Sequence, residues 1–103
     1  MGPKNVVGLE EALKSKKMAG VLVLADDELR SHALLRALTD VDVPLVWAKL
    51  PFAKDNEDLK RWKVSTPGAL VLLDASVEPP KLLKVLRAAP PAVLKKQILE
   101  TKP

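Results

Sequence analysis

The sequence predicts an α/β domain in which one mixed sheet of four to five strands carries helices on both faces. Three observations predict it. Short apolar runs of strand length alternate with amphipathic stretches at helical spacing through the first two thirds of the chain, the pattern of parallel crossovers. One of those runs, Val21–Ala25 (VLVLA), is continuously apolar, as a central strand buried on both faces requires, and Gly68–Asp74 (GALVLLD) is a further apolar strand. A turn after Asp74 then leads into Lys81–Arg87, so the sheet closes with an antiparallel hairpin.

Val6 and Val7 give a short first strand. From Leu9 to Met18 the apolar residues Leu9, Ala12, Leu13 and Met18 fall at helical spacing, with acids first and lysines last as the helix dipole favours. Gly20 is expected to stop this helix. The strand Val21–Ala25 follows, and Asp26 or Asp27 is placed to cap the next helix, Glu28–Leu38. Its apolar stripe is Leu34, Leu35 and Leu38, with the polar Ser31 one turn earlier on the same face. Asp40–Asp42 is a turn, and Val43–Leu50 (VPLVWAKL) a strand with Pro44 at its beginning.

Pro51–Asp55 reads as a loop, and Asn56 as the cap of a short helix over Glu57–Trp62. Thr66 is driven out of the helical region by Pro67, which makes Ser65-Thr66-Pro67 a corner before the strand Gly68–Asp74. Lys81–Arg87 (KLLKVLR) is compatible with a helical turn or an edge strand. Its length and the Pro90-Pro91 stop favour the strand. Ala92–Glu100 closes the chain as a helix with Pro91 near its first position, presenting Val93, Leu94, Ile98 and Leu99 to the sheet.

A chain of 103 residues with 48% hydrophobic content fits one domain over residues 1–103 with one core. Trp47, Phe52 and Trp62 are the only aromatics, so the core is built from Leu, Val and Ala, with both tryptophans packed in it or at its margin. The net charge is +4. Lysines and arginines recur at 14–17, 60–63 and 81–96, but no aromatic platform for stacking bases is interleaved with them. They are read as solvated faces rather than a nucleic-acid surface. Zero cysteines exclude disulfides, thiolate catalysis and Cys-ligated metals. No stretch approaches the roughly 18 apolar residues of a membrane span, so a cytoplasmic location is expected, with no membrane partner.

The element order, and above all the segment NEDLKRWKVSTPGALVLLD, resembles the thioredoxin family over nearly the whole chain. Trp62 stands where the family usually has Tyr or Phe. Val64 is the small apolar residue before the corner, and Pro67 matches the proline that the family holds cis. The ending LRAAPPAVLKKQI is similar to the family's last strand, Gly-rich bend and final helix, with Ala88 and Ala89 in place of the glycine. The resemblance implies a thioredoxin-like fold with a cis Thr66–Pro67 bond. It also implies a corner whose backbone pairs with an extended peptide, a form of strand addition that needs no cysteine.

The departures define the chemistry. After the first central strand the family carries an aromatic and then Trp-Cys-Gly-Pro-Cys; this chain has Asp26-Asp27-Glu28-Leu29-Arg30-Ser31-His32. With a one-residue gap Leu29 and His32 take the cysteine places; without it Arg30 and Ala33 do. Leu24 occupies the place of the family's buried acid. The resemblance therefore implies a redox-inactive member acting as a protein-interaction or assembly module. Its binding residues are expected to be Leu29, His32, Thr66, Pro67 and Gly68, and its partner a protein or a second copy. The alternative is a small ligand-binding domain or non-redox enzyme using His32 with Asp26 or Asp27. Adjacent Ser31 and His32 point apart on a helix, so they form no catalytic pair. One histidine without thiolates makes a poor zinc site, and there is no phosphate loop or nucleophile elbow. No catalytic residue, metal or cofactor is assigned.

Overall fold

The computed structural model of the chain describes residues 6–25, 28–39, 41, 45–77 and 80–101. Its elements run β1 (Val7–Gly8), α1 (Leu9–Lys14), β2 (Met18–Leu24), α2 (Leu29–Leu38), β3 (Val46–Pro51), α3 (Glu57–Arg61), β4 (Ala69–Asp74), β5 (Lys81–Arg87) and α4 (Pro91–Glu100). The five strands form one sheet in the order β1-β3-β2-β4-β5. β2 pairs parallel with β3, from Ala19 opposite Val46 to Leu24 opposite Pro51. On its other side it pairs antiparallel with β4, with Val21 opposite Val71. β4 and β5 form the expected antiparallel pair, with a register shift at Leu72/Leu73. The segment Lys81–Arg87 is thus the strand that its flanking turn and prolines favoured.

The period-2 geometry of the central strands divides the core into two layers. Ala19, Val21 and Val23 of β2 and Ala69, Val71 and Leu73 of β4 face one side, where Ala12 of α1, Leu59 of α3, Trp62 and Val64 cover them. Leu22, Leu70 and Leu72 face the other side, covered by Leu34 and Leu38 of α2 and Leu94 and Ile98 of α4. Trp47 packs in this second layer and Trp62 in the first, both nearly fully buried. Helices lie on both faces because the central strands β2 and β4 are apolar on both.

Several boundaries differ from the sequence expectation, each for a local reason. Helix α1 ends at Lys14 rather than Met18, because Lys16 takes a left-handed conformation (φ 56°) that breaks the helix. Met18 and Gly20 belong to β2. Gly20 is therefore no helix stop. It is a strand position where a Cβ would meet Leu45 Cδ1 at 3.2 Å and Leu70 Cδ1 at 3.3 Å, so its bare backbone admits those side chains. Pro51, expected in a loop, is the last residue of β3. The Asn56 cap forms as expected, its side-chain oxygen accepting from the Leu59 N–H at 3.1 Å. Asp26, Asp27, Asp40, Asp42, Val43 and Pro44 lie outside the described residues.

Two helix faces are narrower than the sequence implied. Leu35 is 39% exposed while Leu34 and Leu38 are fully buried. In α4 only Leu94 and Ile98 reach the core, whereas Val93 and Leu99 are exposed. Consecutive helical positions turn about 100° apart, so a buried stripe of this width holds only one of each adjacent pair. Truncation separates the pair on α2. Leu38→Ala is expected to cost about 2–5 kcal/mol and Leu35→Ala under about 1 kcal/mol, both read from urea unfolding midpoints.

Candidate functional site

The candidate site lies where the C-terminal end of β2, the first turn of α2 and the corner before β4 meet. The end of β2 is held from three sides. The Gly68 N–H donates to the Val23 carbonyl at 2.8 Å, and the Phe52 N–H donates to the Leu24 carbonyl at 2.8 Å. The Ala25 N–H donates to Ser31 Oγ at 2.9 Å. Ser31, the polar residue that interrupts the apolar stripe of α2, is thus a buried tie between strand and helix rather than a weak core position.

Glu28 completes the tie. It is the N-cap of α2, and its carboxylate accepts from the Ser31 N–H at 2.8 Å. Desolvation raises the Glu28 carboxyl, but hydrogen bonds from the Ser31 and Arg30 N–H groups and the Ser31 hydroxyl, with the Arg30 guanidinium, outweigh it. The group is held below its ordinary value. Arg30 approaches the same carboxylate at 3.5 Å.

The corner seats on this turn through Gly68. Its φ is +82°, and a Cβ there would stand 2.5 Å from Arg30 Cβ and 2.7 Å from the Arg30 carbonyl carbon. Glycine is required twice over, by the left-handed backbone and by the contact. Between corner and helix runs an open groove of about 470 Å³ lined by Leu29, Arg30, Ala33, Thr66, Gly68, Arg87 and Ala88. Leu29 stands at its mouth, 84% exposed.

Arg87, the last residue of β5, reaches over the corner from the sheet edge. Its Nη1 donates to the Thr66 carbonyl at 3.2 Å and lies 3.4 Å from the Pro67 carbonyl. The β4–β5 register makes this possible, because Arg87 sits opposite Ala69, two residues beyond Pro67.

Of the residues singled out in the sequence, Leu29, Thr66 and Gly68 line one groove, while Pro67 does not line it and meets Arg87 through its carbonyl. His32 sits elsewhere. It is exposed on α2 and lines two adjoining grooves, one with Leu29, Ala33, Arg36 and Pro91 and one with Ser31, Lys49 and Phe52. Arg30, which the sequence offered only as one occupant of a cysteine place, and Arg87 were not among the expected binding residues. Arg87 was accessible only by pairing the hairpin in register from Asp74–Lys81 upward, which brings the end of β5 to the start of β4. Among the described residues, no group of three His, Asp or Glu side chains is gathered in a way that could hold a metal ion. No described helix is long and apolar enough to cross a membrane.

This architecture is that of thioredoxins. A solution structure of a thioredoxin from Thermus thermophilus superposes with a TM-score of 0.74 at 18% identity, covering 97% of this chain and 87% of that one. The crystal structure of Trxlp from Edwardsiella tarda EIB202 gives a TM-score of 0.63 at 19% identity, over 85% of this chain and 87% of that one. A thioredoxin from Aeropyrum pernix gives 0.60 at 19% identity, over 88% of this chain and 81% of that one. No protein-family model and no curated protein matches the chain. The chain therefore has the thioredoxin fold. With no cysteine in its sequence, it has no thiol with which to exchange a disulfide.

Two measurements test the seat of the site. Gly68→Ala is expected to cost about 2–4 kcal/mol in urea unfolding, from the left-handed backbone together with the clash on Arg30. Gly8→Ala, whose Cβ meets nothing within 4 Å, is expected to stay within about 1 kcal/mol. Separately, a depressed native pKa means that the stabilisation from Glu28 is complete above its unfolded value, about 4.3. It is lost as the pH falls through the lower native value. Asp74, held low by hydrogen bonds from the Ser76 hydroxyl and N–H, acts in the same sense. Stability should fall on acidification below about pH 5, and Glu28→Gln should flatten that fall in urea titrations at stepped pH.

Proposed function

We propose that this chain is a redox-inactive thioredoxin-like domain that works as a protein-interaction or assembly module, docking an extended segment of its partner at the Pro67 corner. The observation that carries this reading is Leu29, an apolar side chain 84% exposed at the helix start, beside the groove that leads to the Thr66–Gly68 backbone. A lone exposed leucine needs no explanation; one at the mouth of a groove beside the Thr66–Gly68 backbone offers an anchor for a bound chain. Extended peptides add to such backbone edges through main-chain hydrogen bonds, with side-chain pockets supplying specificity. Absence of cysteine removes the exchange chemistry and leaves this recognition surface intact.

The rival reading, a ligand-binding domain or enzyme built on His32, has less support. His32 lies outside the corner groove, and its proposed partners Asp26 and Asp27 are outside the described residues. The docking reading is tested by selecting a displayed library of random twelve-residue peptides on the whole chain and mapping the binders by amide NMR shifts. The expected result is perturbation centred on Leu29, Arg30, Thr66 and Gly68, with Leu29→Asp weakening binding about tenfold. Binders that leave those amides unmoved, or no binders at all, would overturn it.

A further inference from the structure

Arg87 bears directly on what the corner can accept. Strand addition at Thr66 requires the Thr66 carbonyl to receive an N–H from the incoming chain, yet that carbonyl already accepts from Arg87 Nη1 at 3.2 Å, with the Pro67 carbonyl at 3.4 Å. A neutral peptide would replace the Arg87 bond with one amide hydrogen bond and release the exposed guanidinium to water. A peptide carrying a carboxylate would return an acceptor to the same guanidinium, and a charged, fork-shaped one. The exchange then balances in hydrogen bonds and improves in charge.

The surroundings have the matching sign. Arg30 lines the same groove with its side chain 64% exposed, and Arg36 lines the groove that continues along α2 past Leu29 and Ala33. Among the described residues, no carboxylate lines either groove. Glu28, the described acid nearest in sequence, pairs with Arg30 while capping α2 through the Ser31 N–H. Asp26 and Asp27 lie outside the described residues. Leu29 and Ala33 supply exposed apolar surface between these cations.

We infer that the occupant of the corner is an acidic extended peptide, placing an apolar side chain against Leu29 and Ala33 and a carboxylate on Arg87 and Arg30, with Arg87 yielding the Thr66 carbonyl as it takes the carboxylate. This rests on the docking reading above and specifies its ligand. Arg87 is then a specificity-determining residue, since its guanidinium favours a chain that brings a carboxylate over one that does not.

The test uses the peptides selected from the random twelve-residue library on the whole chain and mapped to the corner by NMR. The expected result is enrichment of Asp and Glu next to an apolar position. Replacing that acid by its amide in a synthetic copy of the best binder should weaken binding about tenfold, and binding should weaken further with added salt. On Arg87→Gln the acid and amide peptides should bind within about twofold of each other, while Arg87→Lys should keep part of the discrimination. Free-acid and C-terminally amidated forms of the same peptide separate a side-chain carboxylate from a chain-end one, and either supports the inference. Arg87 is exposed on an edge strand, and an unchanged melting curve establishes that its variants fold. Peptides that map to the corner without acid enrichment, or whose discrimination survives Arg87→Gln, would overturn the acidic preference and leave peptide docking standing. If no selected peptide maps to the corner, the docking reading fails and this inference falls with it.

Discussion

The antiparallel pairing of β2 with β4 is the constraint on which the rest of this molecule depends. Both strands are apolar on both faces, so each must be covered twice, and the two helix layers are the consequence. The same ladder continues past the last strand residues to the hydrogen bond from the Gly68 N–H to the Val23 carbonyl. That bond carries the corner to the end of β2, where α2 begins. Core and site are therefore one device. The burial that stabilises the sheet also determines where Thr66, Pro67 and Gly68 stand relative to Leu29 and Arg30.

At the start of α2, where thioredoxins carry their cysteine motif, this chain has a structural arrangement instead. Ser31 turns inward to accept from the Ala25 N–H, and Glu28 closes the helix end on the Ser31 N–H. The positive end of the helix thus faces a carboxylate of its own chain, which the dipole favours. What projects outward is Leu29, with Arg30 beside it and Arg87 arriving from the far edge of the sheet. The helix start therefore presents an exposed leucine flanked by two guanidinium groups at the corner groove.

Much of this was legible in the sequence because the signals were local. The apolar runs VLVLA and GALVLLD announce buried strands by composition alone, Asn56 caps its helix within four residues, and Thr66-Pro67 announces a corner by steric exclusion. The misreadings arose where one residue type serves two purposes. Gly20 has the composition of a helix stop but is a strand glycine cleared for Leu45 and Leu70. Leu35, Val93 and Leu99 are as apolar as their buried neighbours, and only the angle at which each helix meets the sheet leaves them outside. Ser31 read as a defect in a stripe because its partner, the Ala25 N–H, is brought to it by the turn into α2.

By itself the sequence determined the class of fold, the order of the nine elements among the described residues, and the exclusion of thiol chemistry. Each of these follows from composition, periodicity or the plain absence of a sulfur nucleophile. Tertiary structure alone decided which side chains meet at the corner. Arg87 lies 20 residues beyond Pro67 and reaches its carbonyl only because the β4–β5 register, with its shift at Leu72/Leu73, sets Arg87 opposite Ala69. Such pairings depend on register and strand twist, which are summed over the whole sheet and written in no single segment.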